Sequence, residues 1–569
     1  MTMFSNHRLA LARRLAQATV LVAVAWIGGA GEAAAAVTVP TSQPVLTNNQ
    51  LLAQAPSDEC FNGVGADYPP INPDGTCPQG QPKSNQSYIW GLTEQGGKLW
   101  FGTLANAACI LDGLAGGQPM VNSLFACEFG QSKNARSYPS IPASLGDWRI
   151  PKIYSWDLAT GELVNRTPNN SLMKNTLGFR GAGSINNIAF LAGPALSGTS
   201  VNFFAFQADT GQFLGACALT SYNYIRGWKL VDGVLYVGVG SDTQGGVLRW
   251  DGSPTPPSGN FCGRFSEVGR VTADVANVTL YVDGNGRNRL AATTVPIRSP
   301  SGGDGAGVGV WISPVIPSGG LTANEATGWR LIWTPSQYDP DPVVARFGYA
   351  GGAVQYFDGW LYWGTIHLQN SKALSIHETC TKPYCFGMPS NPQELQTLAQ
   401  GVYRTTSVWR GRNLENPRTR EIQLLYGESQ LPAGVAPKTF EIKPTGWTPL
   451  YGPSGFGNTS NEYTWQMAVF GGRLYVGTYD AAVLQGGTAQ YGADLWRFDS
   501  SDSPAVNEDY TGLGDRYNYG IRVLQPLEDG SGLIAGMANP FNLVPGGGWE
   551  LRLLKEGAPA AKKPKAKSR

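Results

Sequence analysis

The chain has 569 residues, of which 42% are hydrophobic, 11% aromatic and only 15% charged, with 74 glycines and 39 prolines. So many aromatics and so few charges exclude disorder as the main state, and the turn-rich composition excludes a coiled coil, a helical bundle or, without a three-residue glycine period, collagen. The formal net charge of +1 hides an asymmetry: without the first 36 residues and the terminal Lys/Arg tail, 34 basic residues face 40 acidic ones, which argues against nucleic acid as a partner of the folded body.

Residues 1–36 read as a signal peptide. Arg8, Arg13 and Arg14 precede the apolar run Ala16 to Ile27, and Ala34-Ala35-Ala36 offers a small-residue cleavage site before Val37. The run is shorter than the roughly 20 apolar residues needed to span a bilayer. The pair Arg13-Arg14 also allows a twin-arginine reading, although no fuller motif follows. No later segment is long and apolar enough to be transmembrane after signal removal. The expected address is therefore periplasmic or extracellular.

The segment 37–87 is rich in Pro, Gly and Asn and is expected to cover the main domain. Eight cysteines follow the signal: Cys60, Cys77, Cys109, Cys127, Cys217, Cys262, Cys380 and Cys385. An even number in an exported chain suggests disulfides, and pairing of sequential neighbours is the simplest of the 105 possible connectivities. Cys380 and Cys385 with His377 are the one zinc alternative.

Residues 88–555 carry an internal repeat. Its clearest copies are Gly-Gly-Lys-Leu-Trp-Phe-Gly-Thr (96–103), Val-Asp-Gly-Val-Leu-Tyr-Val-Gly-Val (231–239), Phe-Asp-Gly-Trp-Leu-Tyr-Trp-Gly-Thr (357–365) and Phe-Gly-Gly-Arg-Leu-Tyr-Val-Gly-Thr (470–478). An apolar strand precedes each, so each reads as a β-hairpin on a tight turn. Weaker copies turn at Asn186-Asn187, at Asp283-Gly-Asn-Gly and at Asp529-Gly-Ser-Gly. An aromatic strand follows each hairpin, as in Ile153-Tyr-Ser-Trp-Asp157, Val247-Leu-Arg-Trp-Asp251 and Leu495-Trp-Arg-Phe-Asp499; in the fifth copy it is Val402-Tyr-Arg404 or Val408-Trp409. The expected fold is all-β, a seven-bladed β-propeller with long loop insertions at 104–147, 366–400 and 411–462. The Trp or Tyr after Leu then packs blade on blade, and the following Gly permits close approach. The tail 556–569 reads as disordered and basic.

The strand, Gly-Gly or Asp-Gly, Lys/Arg-Leu-Tyr-Val-Gly pattern resembles kelch-type repeats. The stretch Phe206-Gln-Ala-Asp-Thr-Gly-Gln-Phe-Leu-Gly215 is similar to the outer hairpin of quinoprotein-type blades. The resemblance implies a bacterial exported propeller and nothing about a reaction, because such folds host oxidases, lyases, lactonases and pure binding platforms. The tryptophan-docking signature of quinoprotein dehydrogenases is absent.

The hairpin geometry predicts two sets of residues at one channel mouth. Trp90, Arg180, Arg226, Trp465 and Arg522 begin first strands and could bind a carboxylate or phosphate. Asn106, Asp242, His367, Asp480 and Asn539 end second strands; Asp242, His367, Asp480 and Asn539 could hold a divalent metal ion. Polar loop ends hydrating a channel are the simpler alternative to both. No Gly-x-Ser-x-Gly elbow or complete catalytic triad is present. The sequence therefore points to a binding or scaffold module in the envelope or outside the cell, with a small polar or anionic ligand or an envelope protein as partner. A metal-dependent hydrolase or lyase is the alternative.

Overall fold

The computed structural model describes residues 41–111, 118–252, 260–297, 305–367, 371–484 and 492–557. The expected signal peptide and nearly all of the basic tail lie outside them. The described chain is mostly β, with short helices confined to loops.

The tight turns form as their residues dictate. Gly96-Gly97, Asn186-Asn187, Asp232-Gly233, Asp358-Gly359 and Gly471-Gly472 each place two successive residues at positive φ. That is the type I′ backbone, whose twist matches that of the flanking strands and which favours Asn, Asp and Gly. At Asp283 the carboxylate instead accepts from the Asn285 and Arg287 backbone N–H groups and organises a longer turn.

Strands pair in sequential antiparallel groups of four. The groups span 86–165, 181–219, 224–271, 274–333, 349–426 and 461–509. A further group runs Gly520–Pro526, Leu533–Ala538 and Glu550–Lys555, and takes its outer strand from Asn48–Gln54 near the other end of the chain. The Pro/Gly-rich segment, expected only to cover the domain, thus enters the sheet. The Val45 and Leu46 N–H groups donate to the Glu508 carboxylate and extend the tie. The first strand of each group packs on the first strand of the next, and Gly520–Pro526 packs back on Gln86–Gln95. The arrangement is propeller-like.

Aromatic side chains fill the gaps between groups. Trp100 lies 5.1 Å from Phe206 of the next group, and Tyr362 lies 5.5 Å from Phe498 of its neighbour. The Tyr236 hydroxyl accepts from the Leu321 N–H. The glycine that ends each repeat is needed for the same contact. A Cβ at Gly102 would sit 2.2 Å from Phe179, and one at Gly364 would sit 2.3 Å from Thr464.

The insertions carry the remaining structure. In the fifth group the third strand is Val408–Arg412. The other candidate, Val402-Tyr-Arg404, instead ends the helix Pro392–Val402. Asn391 caps that helix by accepting from the Glu394 N–H, and proline occupies its first turn. The four disulfides are Cys60–Cys77, Cys109–Cys127, Cys217–Cys262 and Cys380–Cys385, so sequential neighbours pair and both candidate zinc thiols are consumed.

Candidate functional site

The first strands of the groups do not run regularly. The pairing slips between Ile89 and Gly91, Ile225 and Trp228, Val275 and Asn277, Gly351 and Val354, Thr464 and Gln466, and Ile521 and Val523. These β-bulges recur at equivalent positions. The unpaired residues include Trp90, Arg226, Ala276, Gly352, Trp465 and Arg522, and Arg180 directly precedes its own strand Gly181–Ile185. A bulge re-aims a side chain that strict alternation would turn into the sheet face. The residue after the re-aimed one is often glycine, because the next strand approaches there. A Cβ at Gly91 would lie 2.6 Å from Gly181, and one at Gly181 would lie 2.6 Å from the Arg226 carbonyl oxygen.

Trp90, Arg180, Arg226 and Arg522 line one cavity of about 520 Å³. Trp465 backs it rather than lining it, with the Arg522 guanidinium 5.6 Å from its ring centroid. The Arg180 guanidinium lies 5.4 Å from the Trp90 ring and 4.5 Å from the Tyr224 ring. These faces supply cation–π attraction but no counter-charge. Arg226 and Arg522 are only 6% and 4% exposed. Nε and Nη1 of Arg180, Nε and Nη2 of Arg226, and Nε of Arg522 are buried without a hydrogen-bond acceptor among the described residues. An unpaired buried donor costs about 1–3 kcal/mol, so the cluster is a local expense that the rest of the fold sustains. Burial lowers the Arg226 pKa, and the nearby Arg180 charge adds to this. Burial lowers that of Arg522 strongly, with Arg226 and Arg180 next.

Toward the hairpin turns the same cavity is lined by Lys229, Gln355, Gln466, Gln525 and Glu528, and by Leu230, which is 49% exposed and marks the open end. Burial pulls the Lys229 pKa down. Burial also pushes up the carboxyl of Glu94 at this end, which accepts from the Glu528 N–H. At the opposite end, Tyr88, Tyr224, Tyr479 and Tyr519 join Phe125, Phe129 and Phe541 in a buried cluster that includes the Cys109–Cys127 bridge. The arginines therefore sit at the inner end of the cavity, against an aromatic layer, rather than at an open mouth as the hairpin geometry alone predicted.

The proposed metal set does not converge. Asp242 is exposed and accepts from Asn223. His367 is buried edge-on to Tyr349 at 4.5 Å, and burial, then Arg404, lowers its pKa to about 3. Asp480 accepts from Asn458 and the Ala482 N–H. Asn539 donates to Asp515 at 3.4 Å and accepts from the Phe541 N–H. Asn106 donates to Asn85 and accepts from Asn542. None of these lines the cavity, and among the described residues no group of three or more His, Cys, Asp and Glu side chains is placed to share an ion. Each of these side chains is engaged by its own neighbours instead, as His367 is by Tyr349 and Thr365.

Three features escaped the sequence reading. Lys229 was hidden in an ordinary strand. Asp494, fully buried, shares its surroundings with Asp480, and burial followed by the Asp480 charge pushes its carboxyl up. Lys83, Glu128, Arg149 and Glu59 form a buried ionic network that seats the N-terminal segment.

No family model matches the chain, and no curated protein matches it. Solved structures with similarity include polysaccharide lyase Uly1 (10% identity, 90% of this chain and 99% of that one, TM-score 0.39). They also include the Dos1 propeller (9%, 83% and 93%, 0.36) and hydrazine synthase from Kuenenia stuttgartiensis (11%, 80% and 93%, 0.36). At TM-scores this low, fold and function rest on the chain's own strands and side chains.

Proposed function

We propose that this chain is an exported seven-bladed β-propeller acting as a binding module for a small anionic ligand, in the cell envelope or outside it. The observation that carries the binding reading is the cluster of Arg180, Arg226 and Arg522, which line one cavity, the last two buried and the first half-buried, and each of which has at least one buried N–H without a hydrogen-bond acceptor among the described residues. Buried donors are normally satisfied, and exceptions call for a functional explanation. The propeller reading is supported by the cyclic packing of first strands and by the outer strand that the N-terminal segment lends to the last group. The export reading is supported by the sequence of residues 1–36 and by four disulfides. Among the described residues no helix is long and apolar enough to cross a membrane.

The test is calorimetric titration of the purified mature protein with simple anions at low ionic strength, alongside elemental analysis. Binding of one anion per chain, weakened in Arg226→Ala, supports the reading. A stoichiometric metal ion lost in His367→Ala or Asp480→Ala would favour the hydrolase or lyase alternative and overturn it.

A further inference from the structure

The cavity constrains the ligand further, on the premise that it is an anion-binding site. Its inner end carries three guanidinium groups, and Lys229 lies further along the same wall. Its carboxylates, Glu94 and Glu528, lie toward the turns. Arg226 and Leu230 are four residues apart on one strand, so the cavity is roughly 13 Å deep at about 3.3 Å per residue. Charge thus falls along it, from three cations at the inner end to two carboxylates beside one cation, Lys229, toward the opening. Between the two ends stand Gln355, Gln466, Gln525 and Asn277. A primary amide both donates and accepts hydrogen bonds, which suits hydroxyl groups.

We infer that the ligand is a polyhydroxylated molecule with a dianionic oxyanion at one end only, the oxyanion held by Arg180, Arg226 and Arg522 and the hydroxylated body lying along the amide-lined wall. A single negative charge would leave most of the buried positive charge uncompensated. A dianion such as a phosphate monoester or a dicarboxylate accepts from several guanidinium groups at once, in the planar fork geometry that arginine offers. A second anionic group at the far end would meet two carboxylates, Glu94 and Glu528, against the single cation Lys229. The cavity volume is within the ordinary range for small-molecule sites.

The experiment is titration of the mature protein at pH 8 and low ionic strength with inorganic phosphate, malonate, acetate and glucose 6-phosphate. Phosphate or malonate should bind one per chain and at least about 10-fold more tightly than acetate, and glucose 6-phosphate more tightly than phosphate. Arg226→Met and Arg522→Met should each weaken phosphate or malonate by about 10- to 100-fold, with unchanged circular dichroism showing that the fold persists. Arg226→Lys, which keeps the charge and loses the fork, should fall between. Phosphate preferred over malonate identifies a tetrahedral head, and the reverse a dicarboxylate. Acetate binding as well as the dianions would overturn the charge requirement while leaving an anion site. Glucose 6-phosphate binding no better than phosphate would overturn the hydroxylated body. Failure of every anion to bind would remove the anion-binding premise itself.

Discussion

The guanidinium of Arg180 lies 4.5 Å from the centroid of the Tyr224 ring, across the boundary between two strand groups. The ring holds the cation in place without neutralising it. Arg226, on the same strand as Tyr224, and Arg522 keep buried donors unpaired nearby. Such an arrangement costs the fold stability.

Removing one of these charges should therefore cost the fold little. Arg522→Met is expected to leave unfolding stability within about 1 kcal/mol of the parent or to raise it, since an unpaired buried donor is lost. Truncating a well-packed core side chain typically costs 2–5 kcal/mol. Urea denaturation decides between these, and a loss above about 3 kcal/mol would mark Arg522 as structural.

A bound anion should stabilise the folded chain by mass action. Raising sulfate from 0 to 20 mM at constant ionic strength should raise the thermal midpoint of the parent by a few degrees. The Arg226→Met, Arg522→Met double variant should show no such rise. Equal responses would mean that sulfate acts through solvent exclusion alone.

Asp480 and Asp494 predict a pH dependence. Burial raises the pKa of Asp480 to about 6, and burial followed by the Asp480 charge raises that of Asp494 to about 7. A carboxyl whose folded pKa exceeds its unfolded value binds protons more tightly when folded, so stability falls as pH rises from about 4 to about 7. His367, whose pKa is lowered to about 3 by burial, acts the opposite way over pH 6.5 to 3. Comparing Asp494→Asn with the parent isolates the carboxyl pair. The variant should be more stable than the parent by about 1–3 kcal/mol at pH 8 and lose that advantage by pH 4. A difference independent of pH would refute this.

The disulfides should rank by the chain they close. Cys217–Cys262 spans 45 residues and joins the strand Phe213–Leu219 to the segment leading into the next group's outer strand. Cys380–Cys385 spans 5. Loop entropy assigns about 4 kcal/mol to the first and about 2 to the second. Paired Cys→Ala replacements, followed by denaturant unfolding, should preserve that order.

Deleting residues 37–55 removes the outer strand on Glu550–Lys555. It exposes a sheet edge that then pairs with other chains. Size-exclusion chromatography should show oligomers and calorimetry a broadened transition. A monomer with an unchanged midpoint would show that the strand is dispensable.

Sequence alone determined whatever depends on neighbouring residues. The pairs Asp232-Gly233, Asn186-Asn187 and Gly471-Gly472 specify their turns because few residues tolerate two positive φ angles in succession. Leu-Tyr-Val-Gly announces a buried aromatic beside a close approach. The arginines at 180, 226 and 522 were legible because they recur at equivalent places in the repeat. Tertiary structure decided what those residues face. Hairpin pairing put the starts of the first strands and the ends of the second strands at the same edge, and so merged two sets that the fold separates. The bulges turn Arg226 and Arg522 into the cavity, whereas His367 packs edge-on to Tyr349 and Asn539 bonds to Asp515 and the Phe541 N–H. The encounter of Asp480 with Asp494, 14 residues on, follows from the pairing of Arg473–Asp480 with Leu495–Phe498, whereas the return of Asn48–Gln54 to the last strand depends on closure of the whole chain, which no local pattern encodes.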